Sequence, residues 1–302
     1  MNTREEISKF SKLRPLSIGT FGYGSAVFKQ ANVNGNCESP AIDIIFVVED
    51  LKIWHQKNMY INPSDYSLIG RLHLNYSSNT RLKGRNRITY LSNIKEANRT
   101  FKYGVIEVED FIRSLETWEN IFVAGRFQKP ILKVSTTEEI DKAINYNRHC
   151  ALLIASILSA EKTTIYSLYN ILCGLSYYGD ARMSFAENPH KVKNIVEGNF
   201  KELLKIYNLQ ENFLIIDSNG NITINHQILL QHITDLPVSL LAYLSEQNID
   251  FRDIDDLRIG IYSFLHERNK QESIAQITEG IKSNGIINSI PYIASKIKKH
   301  FR

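Results

Sequence analysis

The sequence has few cysteines, no long apolar run and no strong excess of charge of one sign. Its three cysteines, Cys37, Cys150 and Cys173, do not have the spacing of a metal site. Their odd number and separation predict free thiols in a reducing compartment. No stretch approaches the roughly 18 consecutive apolar residues of a transmembrane helix. The formal net charge of only +4 does not indicate a general affinity for polyanions.

The N-terminal segment also lacks the features of a targeting sequence. It reads MNTREEISKFSKL, contains Glu5 and Glu6, and has no apolar centre. This composition predicts neither a secretory signal nor a transit peptide. The length of 302 residues and the 43% content of hydrophobic residues predict a globular protein with a large core, divided into two domains.

A glycine-rich turn and a buried strand come close together near the N-terminus. Gly22-Tyr23-Gly24-Ser25 is a turn of small residues, and the run Ala41–Val48 is apolar except for Asp43. Glycines allow a polyphosphate to approach the backbone, and a helix that begins after Ser25 would direct its free N–H groups at the same anion. A carboxylate on a neighbouring strand suits Mg²⁺. The pattern also fits a plain tight turn before a helix, with Asp43 as a structural residue, but an unpaired buried carboxylate is costly.

The rest of the chain predicts alternating strands and helices, followed by a helical region. Residues 102–108 have the pattern of a strand, and residues 110–117 that of a helix. Thr136 and Glu139 form a predicted capping box before a long helix. A second helix is predicted over Thr164–Cys173. Ser218-Asn219-Gly220 joins two short apolar runs and predicts a hairpin.

Six ordered motifs resemble those of the mitochondrial translocator assembly and maintenance family, whose members are phosphatidate cytidylyltransferases. The motifs are GYGSAVFKQ (22–30), IDIIFVVED (42–50), WHQKNMYINPSDYS (54–67), KYGVI (102–106), AGRFQKP (124–130) and GLSYYGDARM (174–183). KVKNIV (191–196) follows at a family-like distance, and residues 257–281 give a weaker match. The chain departs from the family pattern at Ala26, where the family has Gly, and at Asp65, where it has His.

The resemblance implies an α+β fold in three parts. A nucleotidyltransferase domain of the polymerase-beta-like type would occupy residues 1–135. A helical, winged-helix-like domain would occupy residues 136–285. A basic amphipathic helix over residues 286–302 would contact the membrane. The implied reaction converts CTP and phosphatidate to CDP-diacylglycerol and diphosphate, with Mg²⁺ as cofactor.

The resemblance also assigns roles to individual residues. Tyr23, Gly24 and Ser25 would bind the nucleotide, and Asp43 would hold Mg²⁺ as a catalytic residue. Lys102 and Asp180 would be the other catalytic residues. Lys102 would contact phosphate, as would His55, Arg126, Lys129 and Arg182. Asp180 would contact the metal or the nucleotide, although with Arg182 it could simply form an ion pair. We interpret AGRFQKP as a short polar turn that presents Arg126 and Lys129 to the cleft.

The sequence does not identify the second acidic metal ligand. Glu107 is a candidate because related nucleotidyltransferase folds often carry an acid on such a strand, but the family motif does not require one there. Asp180 is its competitor. His55 is also ambiguous, because Trp54 and the nearby asparagines could form a purely structural helix face.

The C-terminal sequence IPYIASKIKKHFR predicts the membrane contact. Ile293, Ile297 and Phe301 lie four residues apart on one helical face, and the other faces carry basic residues. Anionic lipid would attract such a helix, although a docked terminal helix with a frayed basic end fits the same pattern. Because the N-terminus lacks a transit signal, we expect a bacterial member, peripheral on the cytoplasmic face of the membrane. The related family is located at the mitochondrial inner membrane.

Two other function classes remain open from sequence. One is a nucleotidyltransferase that acts on RNA or on a small soluble acceptor. The other is a non-catalytic membrane assembly factor. Residues 71–102 contain eight basic residues and one acidic residue, and Tyr76 and Tyr90 could stack on bases. With a lipid substrate implied, we nevertheless expect no nucleic-acid partner.

Overall fold

A computed structural model of the chain describes residues 2–28, 40–67, 71, 88–184 and 188–284. The predicted membrane segment, Cys37 and most of the basic window lie outside these residues. Cys150 and Cys173 are both buried free thiols, as the sequence predicts.

The first half of the chain forms a mixed five-stranded sheet. Its strands are β1 (Gly19–Tyr23), β2 (Ile42–Val48), β3 (Thr89–Glu96), β4 (Arg99–Glu107) and β5 (Leu132–Ser135). Their order in the sheet is β3-β4-β2-β1-β5. Strands β2 and β4 are parallel, and the other pairs are antiparallel. The predicted strands around Asp43 and Lys102 are therefore confirmed, and the fold is α+β.

The two faces of the sheet are covered by different parts of the chain. On one face, β2 contributes Ile42, Ile44 and Phe46 to a hydrophobic cluster with residues of helix α1 (Thr3–Lys12) and helix α2 (Leu51–Ile61). On the other face, Ile45 and Val47 join a larger cluster. Because side chains alternate along a strand, Asp43 lies on the same face as Ile45 and Val47.

The larger cluster extends across both predicted domains. It includes residues of helix α3 (Val108–Thr117), helix α4 (Ile121–Phe127) and helix α5 (Glu138–Leu158), and it runs from Phe21 to Leu265. The predicted boundary at residue 135 therefore does not interrupt the core, and the division into domains stays a prediction.

Two local predictions in this region are wrong by small shifts. The residue that caps α5 is Thr137, whose side chain accepts a hydrogen bond from the Ile140 N–H group, whereas Thr136 bonds to Asp141. The predicted polar turn AGRFQKP begins inside α4. That helix is capped by Asn120, whose side chain accepts from the Val123 N–H group, so Gly125 and Arg126 are helical.

The second half of the chain combines helices with a small sheet. Strand β6 (Lys162–Thr164), helix α6 (Ile165–Gly174), helix α7 (Lys191–Ile206) and strands β7 (Leu214–Ile216) and β8 (Asn221–Ile224) follow one another. The sheet order is β6-β8-β7. The predicted hairpin is confirmed, with Gly220 at a φ of 79°. The helix predicted at Thr164 is confirmed as α6, which Thr164 caps.

Three further helices complete the described part of the chain: α8 (His226–Leu229), α9 (Val238–Glu246) and α10 (Ile254–Asn284). Helix α10 contacts α4, α5 and β3, so it packs against both halves. Within the described residues no single helix has the length and apolar character to cross a membrane. One pair, His226–Asp235 and Val238–Glu246, meets those criteria only jointly, with a bend of 107°.

Candidate active site

A cavity of about 360 Å³ lies between the sheet and the helices of the second half. Nine of the eleven residues predicted for the site line it. These are Tyr23, Gly24, Ser25, Asp43, Lys102, Arg126, Lys129, Asp180 and Arg182. A second cavity of similar volume, about 380 Å³, lies between α3 and α9 and contains none of them. Residues that are far apart in the sequence thus converge on one cavity.

The floor of the cavity is a row of side chains across three strands. Tyr23 on β1 pairs with Asp43 on β2, and Asp43 pairs with Lys102 on β4. Neighbouring residues in register point to the same face of a sheet. The row therefore places a phenol, a carboxylate and an ammonium group side by side along the floor of the cavity.

Gly24 allows the chain to turn closely past Asp43. Its φ of 79° is in the left-handed region, and a Cβ atom built there would lie 3.2 Å from Oδ2 of Asp43. After Gly24, the Val27 and Phe28 N–H groups both donate to its carbonyl oxygen, at 3.1 and 2.9 Å. Residues 25–28 form a single turn, so no helix begins directly after Ser25 within the described residues.

Arg126 lies above this row in an aromatic environment. Its guanidinium carbon is 3.4 Å from the centroid of the Phe122 ring and 5.4 Å from that of Tyr23. The Lys102 ammonium is 4.9 Å from the centroid of the Tyr90 ring. Aromatic faces attract cations without neutralising them. These aromatic contacts help to hold both cations at the cavity, and Arg126 also interacts electrostatically with Asp43.

Asp180 and Arg182 form an ion pair that also lines the cavity, and the Arg182 guanidinium carbon is 5.6 Å from the centroid of the Phe122 ring that Arg126 contacts. The Arg182 Nε atom donates to the two carboxylate oxygens of Asp180 at 2.9 and 3.1 Å, and the Arg182 backbone N–H group donates at 2.9 Å. Asp180 is only 5% exposed. This geometry favours the ion-pair interpretation, in which Asp180 positions Arg182, over direct metal contact by Asp180.

Lys129 is held at the wall where the two halves of the chain meet. Its ammonium nitrogen donates to the Gly125 carbonyl oxygen at 2.7 Å and to the Ser176 hydroxyl at 2.8 Å. Gly125 is required for this approach, because a Cβ atom there would lie 2.3 Å from Cβ of Ser176. Burial, with the nearby charges of Arg126 and Lys191, lowers the pKa of Lys129 to about 8.

His55 does not line the cavity. It lies on α2 with 3% of its surface exposed, and its Nδ1 atom is 2.9 Å from the Tyr66 hydroxyl. Burial lowers the pKa of His55 to about 3, so the imidazole is neutral at physiological pH. Asn58 bonds to the Tyr66 and Tyr103 hydroxyls on the same side of the sheet. The structural interpretation of this helix face therefore fits better than a phosphate contact.

Glu107 is at the wrong end of the strand to share a metal ion with Asp43. Asp43 pairs with Lys102, whereas Glu107 pairs with Val48. Five residues of extended chain separate the two positions by roughly 16 Å. Glu107 instead accepts a hydrogen bond from the Leu51 N–H group at 3.0 Å, at the start of α2. This geometry argues against Glu107 as the second ligand of an ion that Asp43 holds.

Several hydrophilic residues that line the cavity were not predicted as site residues. Among them are Ser176, Lys191, Asn199, Asn269, Glu272 and Ser273. Lys191 begins the KVKNIV motif, so its position in that motif was an available signal. Asn269, Glu272 and Ser273 lie on α10, where the sequence match was weak. Their approach to the cavity depends on long-range packing, for example on the bond from the Ala181 N–H group to Ser273 Oγ.

Comparison with known proteins assigns the chain to a family. The family model described as "Phosphatidate cytidylyltransferase, mitochondrial" matches residues 7–299. Similar proteins with this same name occur in Schizosaccharomyces pombe, at 31% identity over 94% of this chain and 80% of the relative, and in Mus musculus, at 30% identity over 93% and 90%. A third, from Dictyostelium discoideum, is 35% identical over 79% of this chain and 59% of the relative. The chain therefore belongs to the mitochondrial phosphatidate cytidylyltransferase family.

Proposed function

We propose that this chain transfers the cytidylyl group of CTP to phosphatidate, giving CDP-diacylglycerol and diphosphate. The observation that carries the proposal is the convergence of nine predicted residues on one cavity, in a chain whose relatives are named phosphatidate cytidylyltransferases. CTP and phosphatidate are then its substrates.

The proposed reaction needs no general base. The second pKa of a phosphate monoester is about 6, so the lipid phosphate is largely dianionic at neutral pH. One of its oxygens attacks the α-phosphorus of CTP. A new P–O bond forms as the bond between the α-phosphorus and the bridging oxygen breaks, and diphosphate leaves with the electron pair. The main barrier is the repulsion between two anions, which positioned cations reduce.

The residues around Gly24 suit the triphosphate. The turn brings the Gly24 backbone next to Asp43, and Ser25 lines the same cavity, while Lys102 and Arg126, both near the Tyr90 ring, supply positive charge. Arg182, positioned by Asp180, adds positive charge beside the Phe122 ring that Arg126 also contacts. Together these cations would stabilise the negative charge that develops on the phosphate oxygens.

The donor set in the cavity fits Mg²⁺ held jointly by protein and substrate. The described residues contain no group of three or more His, Cys, Asp or Glu side chains arranged for a metal ion. Mg²⁺ commonly takes only one or two carboxylates and completes its shell with water and substrate phosphates. Asp43, beside the Gly24 turn, would hold the ion, which would neutralise phosphate charge when bound.

We also propose a nucleotidyltransferase domain in the first half of the chain and a winged-helix-like unit in the second. The sheet with Asp43 and the Gly24 turn supports a nucleotidyltransferase domain. A winged-helix-like unit is supported by the order of elements along the chain, which is helix α5, strand β6, helices α6 and α7, and the β7–β8 hairpin. Such a unit would form a wall of the cavity here, since fold alone does not imply DNA binding.

We also propose that the enzyme is peripheral on an anionic membrane, with residues 286–302 in contact with the surface. The supporting observations are the basic amphipathic pattern of that segment and a substrate that resides in bilayers. Its location on the cytoplasmic face of a bacterial membrane is part of the same proposal, whereas the relatives are named as mitochondrial.

A pair of variants on the same two strands tests the function. Asp43→Asn should abolish transfer of the cytidylyl group while the protein stays folded, because the amide cannot supply the charge that holds Mg²⁺. Glu107→Gln is the matched control at the far end of the strand pair, and it should retain turnover. Circular dichroism verifies folding. Undiminished turnover by folded Asp43→Asn would remove Asp43 from the mechanism.

A further inference from the structure

Two lysines on elements outside the sheet form a second group of cations in the cavity. Lys129 follows α4, and Lys191 is the first residue of α7; both line the cavity. They are close enough that the charge of Lys191 helps to lower the pKa of Lys129. Two like charges brought together on separate elements favour a ligand of opposite charge.

The contacts of Lys129 in the described part of the chain are to neutral groups. Its two hydrogen-bond acceptors are the Gly125 carbonyl and the Ser176 hydroxyl. The charged or titratable groups that act on it are Cys173, Arg126 and Lys191, with no carboxylate among them. Arg126, by contrast, interacts electrostatically with Asp43. A buried ammonium in neutral surroundings is costly, and an incoming dianion would offset that cost.

The surroundings of this pair suit a lipid more than a nucleotide. Pro130, Tyr177 and Ile195 line the cavity with the two lysines, and the Lys129 ammonium is 5.2 Å from the centroid of the Tyr177 ring. These side chains offer apolar contact to a glycerol backbone and the first atoms of its acyl chains. An in-line transfer also needs the acceptor phosphate opposite the leaving diphosphate, and therefore at a different place from the triphosphate.

We propose that Lys129 and Lys191 bind the phosphate monoester of the lipid acceptor, while the Gly24–Asp43 side of the cavity binds the nucleotide. Ser176 is a positioning residue that holds Lys129 toward this phosphate. This inference rests on the proposed function, since it divides that reaction's two substrates between two parts of one cavity.

The test separates the two substrates kinetically. Lys129→Met and Lys191→Met should each raise KM for dihexanoyl phosphatidate by about tenfold or more, because each removes a charge-assisted contact, and should change KM for CTP less than twofold. Lys102→Met should show the opposite pattern. Lys193→Met is the matched control: it lies two residues from Lys191 on α7, has a side chain that is 59% exposed, and should behave as the wild type.

Direct binding makes the result independent of turnover. Calorimetry with dihexanoyl phosphatidate should show about tenfold weaker binding to Lys129→Met and Lys191→Met than to the wild type, with CTP binding retained. If these variants lose CTP affinity but bind the lipid normally, the inference is overturned and the proposed function stands. If the wild type binds the lipid as proposed but transfers nothing to it from CTP, the proposed function fails instead.

Discussion

A buried ion pair on the far side of the sheet gives a quantitative prediction for stability. Arg14 and Asp65 have side chains that are only 1% and 3% exposed. Nη2 of Arg14 donates to the two Asp65 oxygens at 3.2 and 3.1 Å, and the Tyr103 hydroxyl donates to Asp65 at 2.6 Å. The guanidinium also lies 3.4 Å from the centroid of the Phe10 ring. Asp65 is the position at which this sequence departs from the family's histidine, and the structure gives it a cationic partner.

Removing the cation should be costly. Arg14→Met leaves the Asp65 carboxylate buried with a hydroxyl as its main partner, and breaking a buried pair in this way costs about 3–5 kcal/mol. At roughly 2–4 °C per kcal/mol for a protein of this size class, the Tm should fall by roughly 6–20 °C. Arg14→Met with Asp65→Leu should recover part of the loss, because no charge then remains buried.

Denaturant and thermal unfolding measure the effect. Lys142→Met is the control, because its pair with Glu138 has side chains that are 75% and 83% exposed, and it should change stability by at most about 0.5 kcal/mol. KM for CTP should stay near the wild-type value in folded Arg14→Met, since Asp65 and Tyr103 lie on the face opposite Asp43. A loss below about 1 kcal/mol would refute the reasoning.

Three further predictions concern the site and the membrane contact. The pH profile of kcat/KM for phosphatidate should rise through about 6 as the lipid phosphate ionises. It should fall above about 8, because Lys129, with its lowered pKa of about 8, loses its charge as pH rises. Lys129→Arg should move this fall to higher pH, and an unchanged alkaline limb would contradict the prediction. Gly24→Ala should lower turnover, because the new Cβ would lie 3.2 Å from Asp43 Oδ2 and the left-handed backbone conformation costs a non-glycine residue about 1–2 kcal/mol. Full activity of this variant would show that the close turn is dispensable. Deletion of residues 286–302 should weaken binding to anionic vesicles in flotation assays and leave kcat on dihexanoyl phosphatidate nearly unchanged, and equal flotation would assign the membrane contact elsewhere.

The sequence predicted those parts of the fold that depend on local pattern. The strand with Asp43, the strand with Lys102 and the hairpin at Gly220 follow from short apolar runs and turn residues, which act over a few positions. The motif resemblance then supplied Arg126, Lys129, Asp180 and Arg182, whose convergence no local pattern could reveal.

The site predictions that the geometry does not support, and the residues that were not predicted, share a physical cause, because they depend on orientation or on distant packing. Glu107 lies on the same strand as Lys102, but a strand pattern does not show which end of the strand lies beside Asp43. His55 lies in a family motif, but its burial against Tyr66 is a tertiary contact. The contribution of α10 could not be predicted, since Asn269 reaches the cavity through bonds to the distant Leu175 and Tyr178 carbonyls.

The most direct test of the proposed function is a nucleotide panel. The protein is incubated with phosphatidate vesicles, Mg²⁺ and each of the four ribonucleoside triphosphates labelled at the α-phosphate, and lipid is separated from aqueous products. The proposal predicts that label enters the lipid from CTP alone. Absence of label in the lipid with CTP would contradict the proposed reaction, and equal labelling from all four nucleotides would contradict the choice of CTP.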